Sequence, residues 1–187
     1  MSRVRWFPLA AVAIVYLVGN VATADGLGRM EWLVDVRYDI PEVTVDEAKV
    51  ALANDPAEWV VLDVREPDEF AVSHLPGAVR IPPDADIETF TQVVGDTLAD
   101  KRVLFYCSVG QRSTKVASRM EDAVREAGGQ GVANLRGGIF RWHGAHGPLE
   151  NASGPVDRIH SYNAIWGKLM PRKNPPEVDT DQTEESS

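Results

Sequence analysis

The chain carries one cysteine, Cys107, and the residues around it are of the kind that hold an anion. Cys107 ends the apolar run Val103-Leu104-Phe105-Tyr106 and opens the loop Ser108-Val109-Gly110-Gln111-Arg112, after which Ser113 begins a helical pattern. A loop strung between a strand's end and a helix's start points successive N–H groups inward, and the helix dipole adds positive potential there. The thiolate is the nucleophile of cysteine chemistry, and both effects favour it over the thiol, so this loop suits an activated thiolate. Gly110 can take the positive φ that a tight loop demands. Arg112 has two readings: recogniser of an anionic donor, or salt-bridge partner that shapes the loop. Ser108 and Ser113 offer hydroxyl donors, and Ser113 also suits a helix cap. The competing reading of a lone cysteine at a strand end is a small buried hydrophobe. Glycine, glutamine, arginine and two serines beside it are poor packing material for that role.

Such a loop needs a strand before it and a helix after it, and the flanking patterns supply both. The run before Cys107 is β-branched or aromatic, and Val116, Met120, Ala123, Val124 and Ala127 recur at helical spacing until Gly128-Gly129. Thr44 and Glu47 have capping-box spacing ahead of Ala48, Val50, Ala51 and Leu52, which predicts a first helix. Residues 59–64, Trp-Val-Val-Leu-Asp-Val, read as a strand covered on both faces. Residues 78–81 form a second short strand closed by Pro82-Pro83, residues 87–98 a helix, and residues 132–135 a last strand. Strands alternating with helices predict an α/β domain whose parallel central sheet is flanked by helices on both faces. Ligands then bind at the carboxyl ends of the strands. Cys107 and Asp63 both sit at such ends.

Four motifs give the chain a family resemblance. Asp63-Val64-Arg65-Glu66-Pro67-Asp68-Glu69-Phe70, His74-Leu75-Pro76-Gly77-Ala78, the loop from Cys107 to Ser113, and Leu135-Arg136-Gly137-Gly138-Ile139 with Trp142 follow one another in order. Together they resemble the signatures of rhodanese-like sulfurtransferase domains. The resemblance implies that Cys107 takes the outer sulfur of a donor such as thiosulfate, becomes a persulfide, and passes that sulfur to cyanide or a thiol. No cofactor or metal is implied beyond that persulfide. The alternative is a non-catalytic module that binds or senses a sulfur species or a partner protein; the intact Cys107, Gly110 and Arg112 count against it. Cysteine-dependent phosphatases use a C-x5-R loop, whereas Cys107 to Arg112 is C-x4-R, a narrower pocket better suited to one sulfur atom than to a phosphoryl group.

Asp63, Arg65 and His74 read as framework near the site. Arg65 pairs with a carboxylate such as Glu69, and Asp63 bonds backbone amides, because a carboxylate beside an anionic sulfur would repel it. His74 is a hydrogen-bonded framework residue, since a preformed thiolate needs no base. His143 and His146 lack further ligands at metal-binding spacing.

The 187 residues carry a formal charge of −9, a poor match to nucleic acid. Arg3 and Arg5 precede an apolar stretch over residues 6–18, and Ala22-Thr23-Ala24 offers a cleavage site. That layout predicts a signal peptide over residues 1–24 and export, to the periplasm in a bacterium. The alternative is an uncleaved anchor tethering the domain to the membrane. Residues 25–40 form a lead-in and residues 41–150 the domain. A helical extension over 151–170 bears Ile159, Tyr162, Ile165, Trp166 and Leu169 on one face. It is expected to fold back on the domain, with a partner-binding helix as the second reading. An acidic tail over 171–187 has the composition of a disordered segment.

Overall fold

The structure, a computed structural model, describes residues 39–160. Its elements run β1 (Glu42–Val43), α1 (Val45–Asn54), β2 (Trp59–Asp63), α2 (Pro67–Val72), β3 (Val79–Arg80), α3 (Ile87–Val94), β4 (Arg102–Tyr106), α4 (Gln111–Glu126), β5 (Gly131–Leu135), α5 (Gly138–Gly144), β6 (Leu149–Asn151) and β7 (Gly154–Val156). The first five strands form one parallel sheet in the order β1-β5-β4-β2-β3. The last two make a separate antiparallel hairpin.

The continuous apolar runs occupy the centre of the sheet because both of their faces are covered. Alternation along β2 and β4 splits the core in two. Val60, Leu62, Val103 and Phe105 pack on Phe90 and Val94 of α3 and on Val116, Met120 and Val124 of α4. Val61, Leu104 and Tyr106 point the other way, toward Val45 and Ala48 of α1 and Ile139, Phe140 and Trp142 of α5. Cys107 continues the first set, so its side chain faces α4.

Helix starts follow the local chemistry. The Thr44 hydroxyl accepts from the Glu47 N–H (3.3 Å), and the Glu47 carboxylate accepts from the Thr44 N–H (2.9 Å), completing the expected capping box. Asp86 caps α3 by accepting from the Thr89 N–H (2.8 Å). The helix expected over 87–98 is shorter: α3 stops at Val94, and Gly95–Thr97 tightens into a 3₁₀ turn. Glycine costs an α-helix about 1 kcal/mol relative to alanine, which favours the break there.

Five elements have no counterpart in the sequence pattern: the two-residue β1, the six-residue α2, the seven-residue α5, and the two three-residue strands of the hairpin. Each is too short to show a period. The start of the helical extension expected over 151–170 is not helical: residue 151 ends β6 and residues 154–156 form β7. Proline at position 155 and the β6 pairing hold this stretch extended. The leader, residues 25–38 of the lead-in, residues 161–170 and the acidic tail lie outside the described residues. Among the described residues no helix is long and apolar enough to cross a membrane.

Candidate active site

Cys107 sits one residue past the end of β4, the middle strand of the five, and is almost wholly buried. The loop turns back over it. Gly110, at φ 99°, brings its N–H to 3.2 Å from the Cys107 sulfur, the one donor bonded to Sγ among the described residues. A Cβ on Gly110 would stand 3.2 Å from the Asn134 side-chain nitrogen, on top of the conformational cost of a positive φ. The Gly110 carbonyl accepts from the Ser113 and Thr114 hydroxyls at 3.0 and 2.8 Å and from the Thr114 N–H at 3.1 Å, which ties the loop to the first turn of α4. The first N–H groups of that 16-residue helix have no intrahelical partner and carry its positive end.

A second helix fixes the outer side of the loop. The carbonyls of Cys107 and Ser108 accept from the Ile139 and Phe140 N–H groups of α5 at 2.9 and 3.1 Å. Oxygen dipoles are thereby drawn outward, away from the sulfur. The approach depends on Gly138, at φ 56°, where a Cβ would lie 2.3 Å from the Cys107 carbonyl oxygen and 2.8 Å from Ser108 backbone atoms. Backbone cannot yield as a side-chain tip can. Gly138→Ala is therefore expected to lower stability by about 2–3 kcal/mol, measured as a shift in urea midpoint. A loss below about 0.5 kcal/mol would contradict this close packing.

The loop is braced by a carboxylate that the sequence pattern did not single out as part of the site, Glu69 of α2. Its Oε1 accepts from the Ser108 hydroxyl (2.9 Å) and Arg112 Nη2 (3.0 Å), and its Oε2 accepts from Arg112 Nη1 (2.9 Å) and the Glu66 N–H (3.1 Å). Arg112 Nη2 also donates to the Ser108 hydroxyl at 3.0 Å. The Arg112 guanidinium is thus held in a fork by Glu69 and shapes the loop. Burial pushes the Glu69 carboxyl up, yet the hydrogen bonds from Arg112, Glu66 and Ser108 and the Arg112 charge together hold it below its ordinary value. A carboxyl depressed in the folded state stabilises the fold above its unfolded value near 4.5 and loses that contribution as pH falls through the folded value. Glu69→Gln is expected to cost about 1–3 kcal/mol at neutral pH. Urea midpoints of wild type and variant should converge as pH drops below the ordinary carboxylate range. A gap of equal size at both pH values would show that Glu69 does not act through its charge.

Asp63, Arg65 and His74 lie outside this loop network. Arg65 pairs with Asp63 rather than with Glu69. Its Nε donates to Asp63 at 2.9 and 3.0 Å, its Nη2 donates to Asp63 Oδ2 at 2.6 Å, and both residues are fully buried. Asp63 does accept a backbone amide, that of Arg65 itself (2.9 Å). Residues 63 and 65 are two apart at the end of β2, where alternation sets them on one face; that spacing is the signal for the pair. Glu69 lies one helical turn further and is taken by Arg112. Arg65 also donates to the Ser73 carbonyl (2.6 Å) and stands over the Tyr106 ring at 5.7 Å. His74 stacks on Phe70 at 3.8 Å between ring centroids, with Nδ1 3.0 Å from the Phe70 carbonyl oxygen. Its backbone exchanges two hydrogen bonds with Glu150 of β6, both 2.9 Å. It joins α2 to the hairpin. Trp142 is core, with its indole N–H bonded to the Pro148 carbonyl (2.9 Å).

The site is thus a buried thiol with the Gly110 N–H on its sulfur, the start of a long helix just beyond, and an arginine paired with an internal carboxylate. Comparison with known proteins matches residues 44–145 to the model of the Rhodanese-like domain. A tRNA uridine(34) hydroxylase of Listeria welshimeri is 37% identical over 88 residues, 44% of this chain and 25% of that protein. The thiosulfate:glutathione sulfurtransferase of Saccharomyces cerevisiae is 35% identical over 85 residues, 39% of this chain and 60% of that one. This chain therefore spans between a quarter and three fifths of the length of these relatives. The thiosulfate sulfurtransferase of Pseudomonas aeruginosa superposes with a TM-score of 0.52 at 25% identity, over 75% of this chain and 25% of that one.

Proposed function

This chain belongs to the rhodanese-like domain family, and from that premise we propose that it is a sulfurtransferase working through a Cys107 persulfide. The Cys107 thiolate attacks the sulfane sulfur of a donor, thiosulfate or an organic persulfide. A bond forms between the two sulfurs, the donor's own bond to that sulfur breaks, and sulfite or a thiolate leaves with the electron pair. The terminal sulfur is then attacked by cyanide or a thiolate, and Cys107 leaves as the thiolate. Two half-reactions through a covalent intermediate give ping-pong kinetics. The Gly110 N–H, 3.2 Å from Sγ, is the observation that carries the reading. It stabilises negative charge on sulfur, and the outward-turned loop carbonyls keep opposing dipoles away.

Burial supports the same chemistry. Cys107 is about 1% exposed, which hinders mixed disulfides with bulky thiols and requires a donor to present its terminal sulfur. The new S–S bond, about 2 Å long, carries the transferable sulfur outward to the acceptor. This also suits an unpaired cysteine to an oxidising compartment, which the leader-like residues 1–24 support as the place of work. A thiol acceptor is supported by the name of the yeast relative.

The test is steady-state transfer from thiosulfate to cyanide and to glutathione, with intact-mass measurement after donor alone. A gain of one sulfur atom with turnover is the expected result. Adduct without turnover on either acceptor would favour the second reading, a sulfur carrier or sensor. A folded protein with a reduced thiol and neither signal, with thiosulfate or a polysulfide as donor, would overturn the sulfur chemistry.

A further inference from the structure

At the end of the sheet opposite Cys107 lies an apolar groove of about 710 Å³. Leu52 of α1, Trp59 and Val61 of β2, Val79 of β3, Trp142 of α5 and Pro148 are among its walls. Two features mark it as a place left uncovered by the described residues. The edge strand β3 pairs only with Leu62 and Asp63 of β2, so residues 59–61 have β4 on one side and no strand on the other. Val79, an apolar residue on this wall, is 40% exposed. A parallel sheet normally has both faces and its central strands covered, and an open apolar strand edge invites pairing.

We propose that residues 161–170 of this same chain occupy the groove, seating Tyr162, Ile165, Trp166 and Leu169 against it. The path of the chain supports this occupant. Val156 and Ile159 already pack on the apolar cluster that includes Trp142, Val61, Trp59 and Leu52. The Asp157 carboxylate lies 3.2 Å from His143 Nε2, on the helix turn between Trp142 and the groove residue His146. The last described residues therefore run against the same apolar cluster that supplies the groove residues Leu52, Trp59, Val61 and Trp142. The residues that follow are apolar at i, i+3, i+4 and i+7, and they end at Pro171, beyond which the sequence turns polar and acidic. As a helix, a ten-residue segment would span about 15 Å. A segment tethered this closely has an effective concentration in the millimolar range, which a free partner would have to exceed. The sulfur chemistry plays no part in the inference.

The test compares hydrogen exchange of the full chain with that of a chain ending at His160 and with the full-length variant Trp166→Asp. The expected result is that the full chain slows exchange in residues 52–61 by about tenfold or more relative to both, at every protein concentration. Adding a peptide of residues 157–172 should restore the slowing to the truncated chain. Sulfur transfer should be unchanged in both variants, since the groove and the loop lie at opposite ends of the sheet. Equal exchange in all three proteins would overturn the proposal. So would protection that appears only as the full chain dimerises, because the occupant would then be a second copy.

Discussion

Cys107→Ser is expected to abolish both the one-sulfur mass gain and multiple turnover while leaving the protein folded. The substitution keeps the size of the side chain and an acceptor for the Gly110 N–H, now bonded to sulfur at 3.2 Å. It removes the one atom able to form an S–S bond, and a hydroxyl at neutral pH is almost never an alkoxide. The stability cost should stay near 1–2 kcal/mol, that of placing a hydroxyl in the apolar cluster around Val116 and Phe105. Circular dichroism and thermal melting would establish that the variant is folded. Residual turnover in that folded variant would show that the thiol is not the carrier, because no other described residue can hold sulfane sulfur: Cys107 is the chain's one cysteine. Serine variants that fail to fold can be replaced by Cys107→Ala, which loses the same chemistry without adding a buried hydroxyl.

Asp63→Ala is expected to destabilise the protein by about 3–5 kcal/mol, a large part of the stability of an ordinary domain. Arg65 is fully buried, and Asp63 supplies most of what compensates its charge. Burial opposes the charged guanidinium, yet the hydrogen bonds and charge of Asp63 outweigh it and raise the Arg65 pKa above its ordinary value. Without the carboxylate, the Ser73 carbonyl and the Tyr106 ring would remain. The pair also anchors Ser73 at the end of α2, and α2 carries Glu69, so the damage should reach the loop. Urea unfolding of Asp63→Ala, Arg65→Met and the double variant forms the decisive cycle. The double variant should recover part of the loss, because an unpaired buried charge costs more than an absent pair. Strict additivity of the two single losses would show that Asp63 and Arg65 do not act as a unit.

The reach of the sequence differs sharply between these two residues. The order of strand end, glycine and helix start after Cys107 is legible along the chain, because that geometry is local, although the helix begins at Gln111 rather than at Ser113. The parallel sheet is legible for a similar reason, since the apolar runs of β2 and β4 betray burial on both faces. Short elements are not, because six or seven residues hold less than two helical turns. Four motifs in order are enough to place the chain in its family, as the match over residues 44–145 bears out.

What the tertiary structure alone decided is who pairs with whom. Two arginines and two carboxylates sit near the carboxyl ends of β2 and β4, and the motif pattern suggests Arg65 with Glu69. The fold gives Arg65 to Asp63 and sends Glu69 across 43 positions to Arg112. It likewise brings Gly138 against the Cys107 carbonyl, a contact that no local pattern announces. Pairing between distant segments depends on strand order and helix placement. Those are set by how the two apolar faces of the sheet are buried, so residue types along the chain specified the sulfur and its loop, and packing specified what holds them still.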